Sequence, residues 1–430
     1  VQKRDMGEMA GWIGSSDRPN GSITGVAVDS RAVKPGDLFF ALQGERSDGH
    51  NFLEEAKRRG AVAAVVSRPI EAPLPTLRVA DTLIALQEAA SRYREKVCDA
   101  PIIAITGSVG KTTVKEFVSA LLGTKYRLLA TRGNRNSQVG TPLTLFELSG
   151  EEERVVLEMS LSGPGHIRRL VEIAPPDIAA ITRVCLAHAE FFPDLEAIVR
   201  AKGEIFSHPQ TALAFRPKEL PQLCEIGSCP KAPFDLDFAC EEGRLSLFRE
   251  GELLVQCPWD LPGEHNRANF AKAAQIAHSA GMTWEEIAEA ASHCALPPMR
   301  FSQLSRRGVQ LIDDTYNACQ ASMEAALASM PQVAGKRIAV LGEMGELGHF
   351  SKQCHRAVGK AALERVDHLI CFGKEALSMA EVWQEARREA KVFDDHAALL
   401  AHLREVAEEG DVVLIKGSRS CRLEQIVDQF

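Results

Sequence analysis

Short apolar runs alternate along this chain with segments of helical period, and turn residues punctuate them. Up to about residue 98, LFFAL and AVAAVV read as strands between the turn-rich stretches DSRAVKPGD and GERSDGHNF, and 81–96 reads as a helix. From 99 to 297, strands at 102–106, 155–159 and 178–184 alternate with helices at 111–122, 165–173 and 194–206. That rhythm predicts a mostly parallel sheet with right-handed crossovers. Residues 222–257 are β-like and turn-rich and predict an insertion or a small extra sheet, before helical patterning returns at 264–280 and 284–293. Paired prolines in LPPMRF (296–301) mark a linker. Beyond it come a strand and glycine turn (RIAVLGEMGELG), a helix at 352–365, the strand HLICFG, a helix at 375–390, the strand DVVLIKGS and a final helix at 421–430. The pattern predicts an α/β chain of three domains: 1–98, a central parallel-sheet domain at 99–297, and a Rossmann-like domain at 298–430. The GEMGELG turn is not G-x-G-x-x-G, so it implies no second cofactor.

A length of 430 residues accommodates several cores, and 45% hydrophobic with 25% charged residues is ordinary for a globular protein. The net charge of −8 leaves no global basic field to recruit nucleic acid. No apolar run approaches the ~18 residues of a membrane span. The first residues lack a signal-peptide core, and Val1 in place of Met reads as a trimmed start. The 11 cysteines stand singly with no C-x-x-C pair, which favours reduced thiols in a cytosolic protein over a zinc knuckle or disulfide framework.

The strongest chemical signal is PIIAITGSVGKTTVKEFVSALLG (101–123). An apolar strand enters a glycine turn that ends in Lys111, Thr112 and Thr113, and an amphipathic helix follows. Gly107 and Gly110 bring backbone N–H groups close to an anion, and the helix N-terminus and Lys111 add positive charge. A hydroxyl of Thr112 or Thr113 can hold a magnesium ion. This is a P-loop, a cradle for nucleotide phosphates, although Ile105 stands where the first glycine of G-x-x-x-x-G-K-[ST] belongs.

Other candidates are individually ambiguous. Glu158 ends the strand VVLEM, where a carboxylate can hold Mg²⁺ or simply face solvent. His188 lies beyond the third strand of the sheet, as a ligand or as a structural histidine. Lys202 ends a helix, and the helix dipole alone explains a lysine there. Asn266 caps a helix or reads an adenine edge. Arg300, after the prolines, can reach across domains to a phosphate. Asp313 and Asp314 make a ribose or metal contact, or a solvated turn.

Together these segments resemble the Mur ligase family over nearly the whole chain. The family's P-loop is TGxxGKTT, as at 106–113, and GNRNSQVGTPLTL, AKGEIF, PGEHNRANFAKAA, PMRF and KGSRS follow in the family's order. DDTYNA, LGEMGELG and the N-terminal DSRAVKPGDLFFALQGERSDGHNF are most similar to members that join D-alanyl-D-alanine to UDP-N-acetylmuramoyl-tripeptide. The resemblance implies an ATP- and Mg²⁺-dependent amide ligase working through an acyl phosphate. It would be a cytoplasmic monomer in peptidoglycan synthesis, with small-molecule substrates and no nucleic acid partner. Folylpolyglutamate synthase, from the same superfamily, and a non-catalytic nucleotide-binding relative are the rivals.

Carried onto this chain, the resemblance makes Lys111, Glu158, His188, Lys202 and Arg300 catalytic. It makes Thr106, Gly107, Ser108, Val109, Gly110, Lys111, Thr112, Thr113, Asn134, Asn266, Arg300, Asp314 and Asn317 nucleotide contacts. Thr112, Glu158, His188 and a carbamylated Lys202 would hold metal. Asn136 falls near the same site, and Ser30, Arg31, Asp48, Gly49 and His50 belong to the block that receives the UDP-sugar. Ser137 interrupts the family's GNxNN run, and Cys319 stands where an asparagine is expected.

Overall fold

The computed structural model describes residues 1–44, 47–187 and 189–430. Three parallel or mostly parallel sheets follow one another along the chain. The first is four-stranded, with β1 (Gly25–Ala27), β2 (Asp37–Phe40), β3 (Ala63–Val66) and β4 (Thr76–Arg78) in sequence order and all parallel. Helix α1 (Thr82–Val97) starts where Asp81 accepts the N–H groups of Leu83 and Ile84. It carries the chain to the central sheet and ties the two together. Gln87 donates to Gln138 O, and Arg169 of the central domain reaches back to Gln87 (2.7 Å) and Glu88 (2.8 Å).

The central sheet contains β5 (Ile102–Thr106), β6 (Leu128–Ala130), β7 (Arg154–Glu158), β8 (Ile178–Ile181), β9 (Leu213–Arg216) and β10 (Lys231–Pro233). Its order is β10-β9-β8-β5-β7-β6, all parallel, which puts β5 in the interior. A parallel strand covered on both faces must be apolar throughout, and all five residues of β5 are buried. Alternate side chains supply the two faces. Ile102 and Ala104 join the core shared with Leu86 and Tyr93 of α1, whereas Ile103 and Ile105 pack with Phe117, Leu121 and Phe270. Those last residues sit on α2 (Lys111–Leu122) and on α5 (Glu264–Ser279); α3 (His166–Ile173) and α4 (Leu195–Gly203) complete the helices used below. The small extra sheet is three antiparallel strands spanning 237–258, shorter than the 222–257 reading, because 221–225 is a helical turn and 231–233 joins the central sheet as β10.

The last sheet comprises β11 (Ser302–Arg306), β12 (Val309–Asp314), β13 (Arg337–Gly342), β14 (His368–Phe372), β15 (Ala390–Phe393) and β16 (Val412–Lys416) in the order β11-β12-β16-β13-β14-β15. Only the β11–β12 pair is antiparallel. Helix α6 (Gln320–Ala328) follows β12.

Several predicted elements are shorter than their patterns, among them the helices read at 194–206, 284–293 and 421–430, and two show a local cause. The strand at 178–184 stops at Ile181, because Thr182 Oγ1 turns to donate to Val109 O (2.6 Å). The helix at 375–390 covers only Leu377–Glu385, and a left-handed Arg387 (φ 59°) leads instead into β15. Among the described residues no helix is long and apolar enough to cross a membrane.

Candidate active site

The turn after β5 is shaped by two glycines. Gly107 has φ 151°, and a Cβ there would lie 2.1 Å from Thr182 Oγ1; Gly110 has φ 86°, and a Cβ there would lie 2.7 Å from Asn269 Oδ1. The loop is fused to the segment beyond β8. Ser108 N–H donates to Arg183 O (2.6 Å), and its hydroxyl donates to Cys185 O (3.0 Å) while accepting the Cys185 N–H (3.1 Å). Helix α2 begins at Lys111 with Gly110 as its cap residue and no side-chain cap, which leaves its first N–H groups facing the loop. An uncapped helix start of this kind binds anions. Gly107→Ala should therefore lower nucleotide affinity by roughly tenfold or more while leaving the fold intact. Calorimetric titration beside a circular dichroism spectrum measures both.

Two buried lysines and a buried carboxylate stand at this loop, and Arg300 acts on the first lysine. Lys111 Nζ donates to Ser108 O (3.3 Å). Burial pushes its pKa down, Glu158 pulls it up, and Arg300 lowers it further. Lys202, 1% exposed at the end of α4, donates to Gly107 O (3.0 Å). Burial, and then the charge of Lys111, bring it down to about 7. A helix-end lysine serving only the dipole would point to solvent; this one is driven under the P-loop. Glu158, also 1% exposed, accepts from Asn136 Nδ2 (2.7 Å) through Oε1. Among the described residues its Oε2 and the nearby strand-end hydroxyl Thr106 Oγ1 are buried with no hydrogen-bond partner. Orphaned buried oxygens are costly unless a cation or donor completes them. An oxygen-liking divalent cation fits that donor set. Among the described residues no cluster of three or more His, Cys, Asp or Glu side chains forms a cage of its own, so a metal here would need phosphate and water oxygens as well. His188 lies outside the described residues.

The C-terminal domain closes onto this site. Arg300 NH2 donates to Thr112 Oγ1 (2.9 Å), and its guanidinium stacks 4.0 Å from the centre of the Tyr316 ring. Its neighbours Met299 (φ 59°) and Phe301 (φ 60°) are both left-handed, a conformation that L-residues rarely adopt. Phe301 is buried edge-on against His265, which itself bonds Ser329 Oγ (3.0 Å). Asp314 pairs with the buried Lys416 (2.7 Å), whose Nζ also donates to Asn317 O (2.9 Å). Asp313 instead closes a local turn by accepting from Thr315, and burial raises its pKa. Asn266 is not the cap of α5. Gly263 holds that place, and Asn266, 2% exposed, donates to Pro262 O (2.8 Å). Asn317 and Asn134 are exposed, and Thr113 is buried in α2.

Lys272 of α5 braces the loop from behind by donating to Thr182 O (2.9 Å), and burial lowers its pKa to about 8. The unfolded chain holds this proton up to about pH 10.4, so stability should rise as pH climbs from about 8 toward 10. Lys272→Met should flatten that rise, as read by thermal melts across the range.

The N-terminal candidates sit apart from the P-loop, at the carboxyl edge of the first sheet, where ligands gather in parallel sheets. Asp29, Ser30 and Arg31 follow β1, Asp48, Gly49 and His50 follow β2, and Ser67 and Arg68 follow β3. Asp48 accepts from His50 Nδ1 (2.6 Å) and Arg68 (2.8 Å), while His50 Nε2 accepts the Ser67 N–H (3.0 Å). His50 donates first through its backbone N–H to Asp48, and with the ring and Arg68 this holds the Asp48 carboxyl at about 2. Ser30 donates to Glu55 (2.9 Å), and Arg31 pairs with Asp29 (2.7 Å). Gly49 admits the close passage of Leu42 N, 2.7 Å from a Cβ position.

Sequence profiles match this arrangement in three consecutive pieces. The Mur ligase family catalytic domain covers residues 22–94, the Mur ligase middle domain 105–277, and the Mur ligase glutamate ligase domain 299–419. A UDP-N-acetylmuramoyl-tripeptide–D-alanyl-D-alanine ligase of Escherichia coli is 36% identical over 426 residues, covering 94% of this chain and 93% of the relative. The chain belongs to the Mur ligase family. Among solved Mur ligases, MurF from Acinetobacter baumannii superposes with a TM-score of 0.89 at 29% identity, over 100% of this chain and 99% of that one. MurF from Thermotoga maritima, solved in complex with ADP, superposes at 0.82 with 30% identity, over 94% of this chain and 96% of that one.

Several residues of this Mur ligase take part without having been singled out from sequence. Tyr316 supports Arg300, Lys416 holds Asp314, and Asn269 and Lys272 wall the P-loop from α5. Each lay inside a block quoted for the resemblance, Tyr316 in DDTYNA, Asn269 and Lys272 in PGEHNRANFAKAA and Lys416 in KGSRS, but no spacing marked the individual residue. A groove of about 440 Å³ also runs beside α4, lined by Arg168, Phe191, Phe192, Arg200 and Ile226 among others.

Proposed function

We infer that this Mur ligase joins D-alanyl-D-alanine to UDP-N-acetylmuramoyl-tripeptide with conversion of ATP to ADP and phosphate, a step of peptidoglycan synthesis. The observation that carries the chemistry is the convergence of Lys111, Lys202 and Glu158 on the uncapped start of α2. That start and Lys111 hold the β- and γ-phosphates while the tripeptide carboxylate attacks the γ-phosphorus and ADP leaves. The dipeptide amine then adds to the acyl phosphate carbon, and the tetrahedral intermediate expels phosphate. Negative charge grows on oxygen at both steps, so fixed cations and amides lower both barriers.

Mg²⁺, held by Glu158, Thr112 and His188 with phosphate and water oxygens, would neutralise phosphoryl charge when bound. Lys202, its pKa brought down to about 7 by burial and the charge of Lys111, adds CO₂ at its neutral Nζ to give a carbamate and a proton. This converts the lysine into an anionic ligand. Arg300, aimed at Thr112, and Asp314 and Asn317 serve the nucleotide from the C-terminal domain. Asn266, Asn134 and the loop residues 106–113 contact it from the central one. Ser30, Arg31, Asp48, Gly49 and His50 receive the UDP-sugar, and the groove along α4 takes the peptide arm. The working units are 1–98, 99–297 and 298–430, in a monomer of the cytoplasm.

A coupled assay of ADP release tests this reading. ADP should appear only when UDP-muramoyl-tripeptide and D-alanyl-D-alanine are both present. Release with glutamate and a folate instead would assign the chain to the folate branch, and ATP binding with no release under any condition would make it a non-catalytic relative.

A further inference from the structure

Two cysteines that the ligase chemistry does not use face each other across the closed cleft. Cys185 follows β8 in the central domain, with its backbone bonded on both sides to Ser108 of the P-loop. Cys319 immediately precedes α6 in the C-terminal domain, where Ser322 accepts its thiol and bonds its N–H. Their sulfurs lie 3.6 Å apart, at hydrogen-bond rather than covalent distance. Both are free thiols, Cys319 buried and Cys185 the less buried of the two residues. The S–H···S contact lowers the pKa of Cys319 and raises that of Cys185, leaving one thiol more easily ionised than its partner. Lys111 and Lys202 both feel the charge of the two sulfurs, which places the pair within the phosphate cleft itself.

We propose that Cys185 and Cys319 form a reversible disulfide that staples the C-terminal domain to the P-loop and shuts the cleft to nucleotide. Hydrogen peroxide is the oxidant. One thiolate attacks a peroxide oxygen to give a sulfenic acid, with hydroxide leaving as water. The second thiolate then displaces hydroxide from that sulfur. Two thiols and one peroxide yield one disulfide and two waters. A dithiol reductant reverses the step. The consequence for nucleotide rests on the P-loop reading above, whereas the bond itself does not.

The test uses the purified full chain with hydrogen peroxide, followed by alkylation, digestion and mass spectrometry. In parallel, the association rate of a fluorescent ATP analogue is followed. The expected result is a Cys185–Cys319 linked peptide and a fall of about tenfold or more in association rate, both undone by dithiothreitol. Cys319→Ser should resist both changes, since serine is a favoured helix cap and keeps α6 intact; Cys185→Ser should behave alike. A peroxide-treated protein in which both thiols still alkylate would overturn the staple. So would a linked peptide with unchanged nucleotide association, or equal peroxide sensitivity in both serine variants. Untreated protein that takes up no nucleotide would refute the P-loop reading instead, with the linked peptide still deciding whether the bond forms.

Discussion

Lys111→Ala should reduce ADP release by roughly a thousandfold, and the loss should fall on kcat as well as on nucleotide affinity. The lysine is the one full positive charge that starts α2, and nothing nearby replaces it. Lys202 is held under Gly107, and Arg300 bonds Thr112. The readout is the coupled assay with each substrate omitted in turn. Undiminished release dependent on both substrates would refute the mechanism. A variant that still binds ATP by calorimetry yet turns over slowly would assign Lys111 mainly to the transition state, where the transferring phosphoryl group carries charge that the bound nucleotide has not yet developed.

The second large effect belongs to Lys202. Lys202→Arg keeps a cation at the end of α4 and can keep a bond to Gly107 O, but a guanidinium cannot take up CO₂ and does not lose its proton. If the lysine served only the helix dipole or the packing of the loop, this change would be mild. A carbamate ligand predicts a loss of about a hundredfold or more in kcat. It also predicts that depletion of CO₂ slows the native enzyme and leaves the variant unchanged. Rates within about twofold of the native enzyme under both conditions would remove the carbamate from the mechanism.

The difference between these two lysines shows what a sequence can carry. Lys111 was legible because everything that defines its role is local: an apolar strand, two glycines with forced geometry and a helix within about twenty residues. Lys202 was not, since a lysine ending a helix is already explained by the dipole. What decides its role is burial against a carbonyl 95 positions earlier in the chain. The family resemblance supplied the assignment that spacing could not. Asn266 illustrates the same limit in reverse, because an asparagine at a helix start reads as a cap until Gly263 proves to hold that place. The overlong helix at 375–390 has a plainer cause. Its stop is a left-handed arginine, and without a glycine the sequence gives no sign of the turn. The segment that follows, β15, is a partly exposed edge strand that lacks the apolar run by which its buried neighbours are recognised.

The left-handed pair around Arg300 has a consequence for how the two halves of the site cooperate. A long arginine on an ordinary linker would sample many rotamers and have to be frozen by its ligand. Here Met299 and Phe301 are both held in a conformation costing about 1–2 kcal/mol per residue, and Phe301 is locked beneath His265. The guanidinium is gripped between Tyr316 and Thr112. Contacts within the protein account for that ordering. If Arg300 meets the phosphates as proposed, their binding energy would not be spent on arranging this side chain and would stay available for the reaction. On that proposal the linker acts as a gunsight, trained on the start of α2.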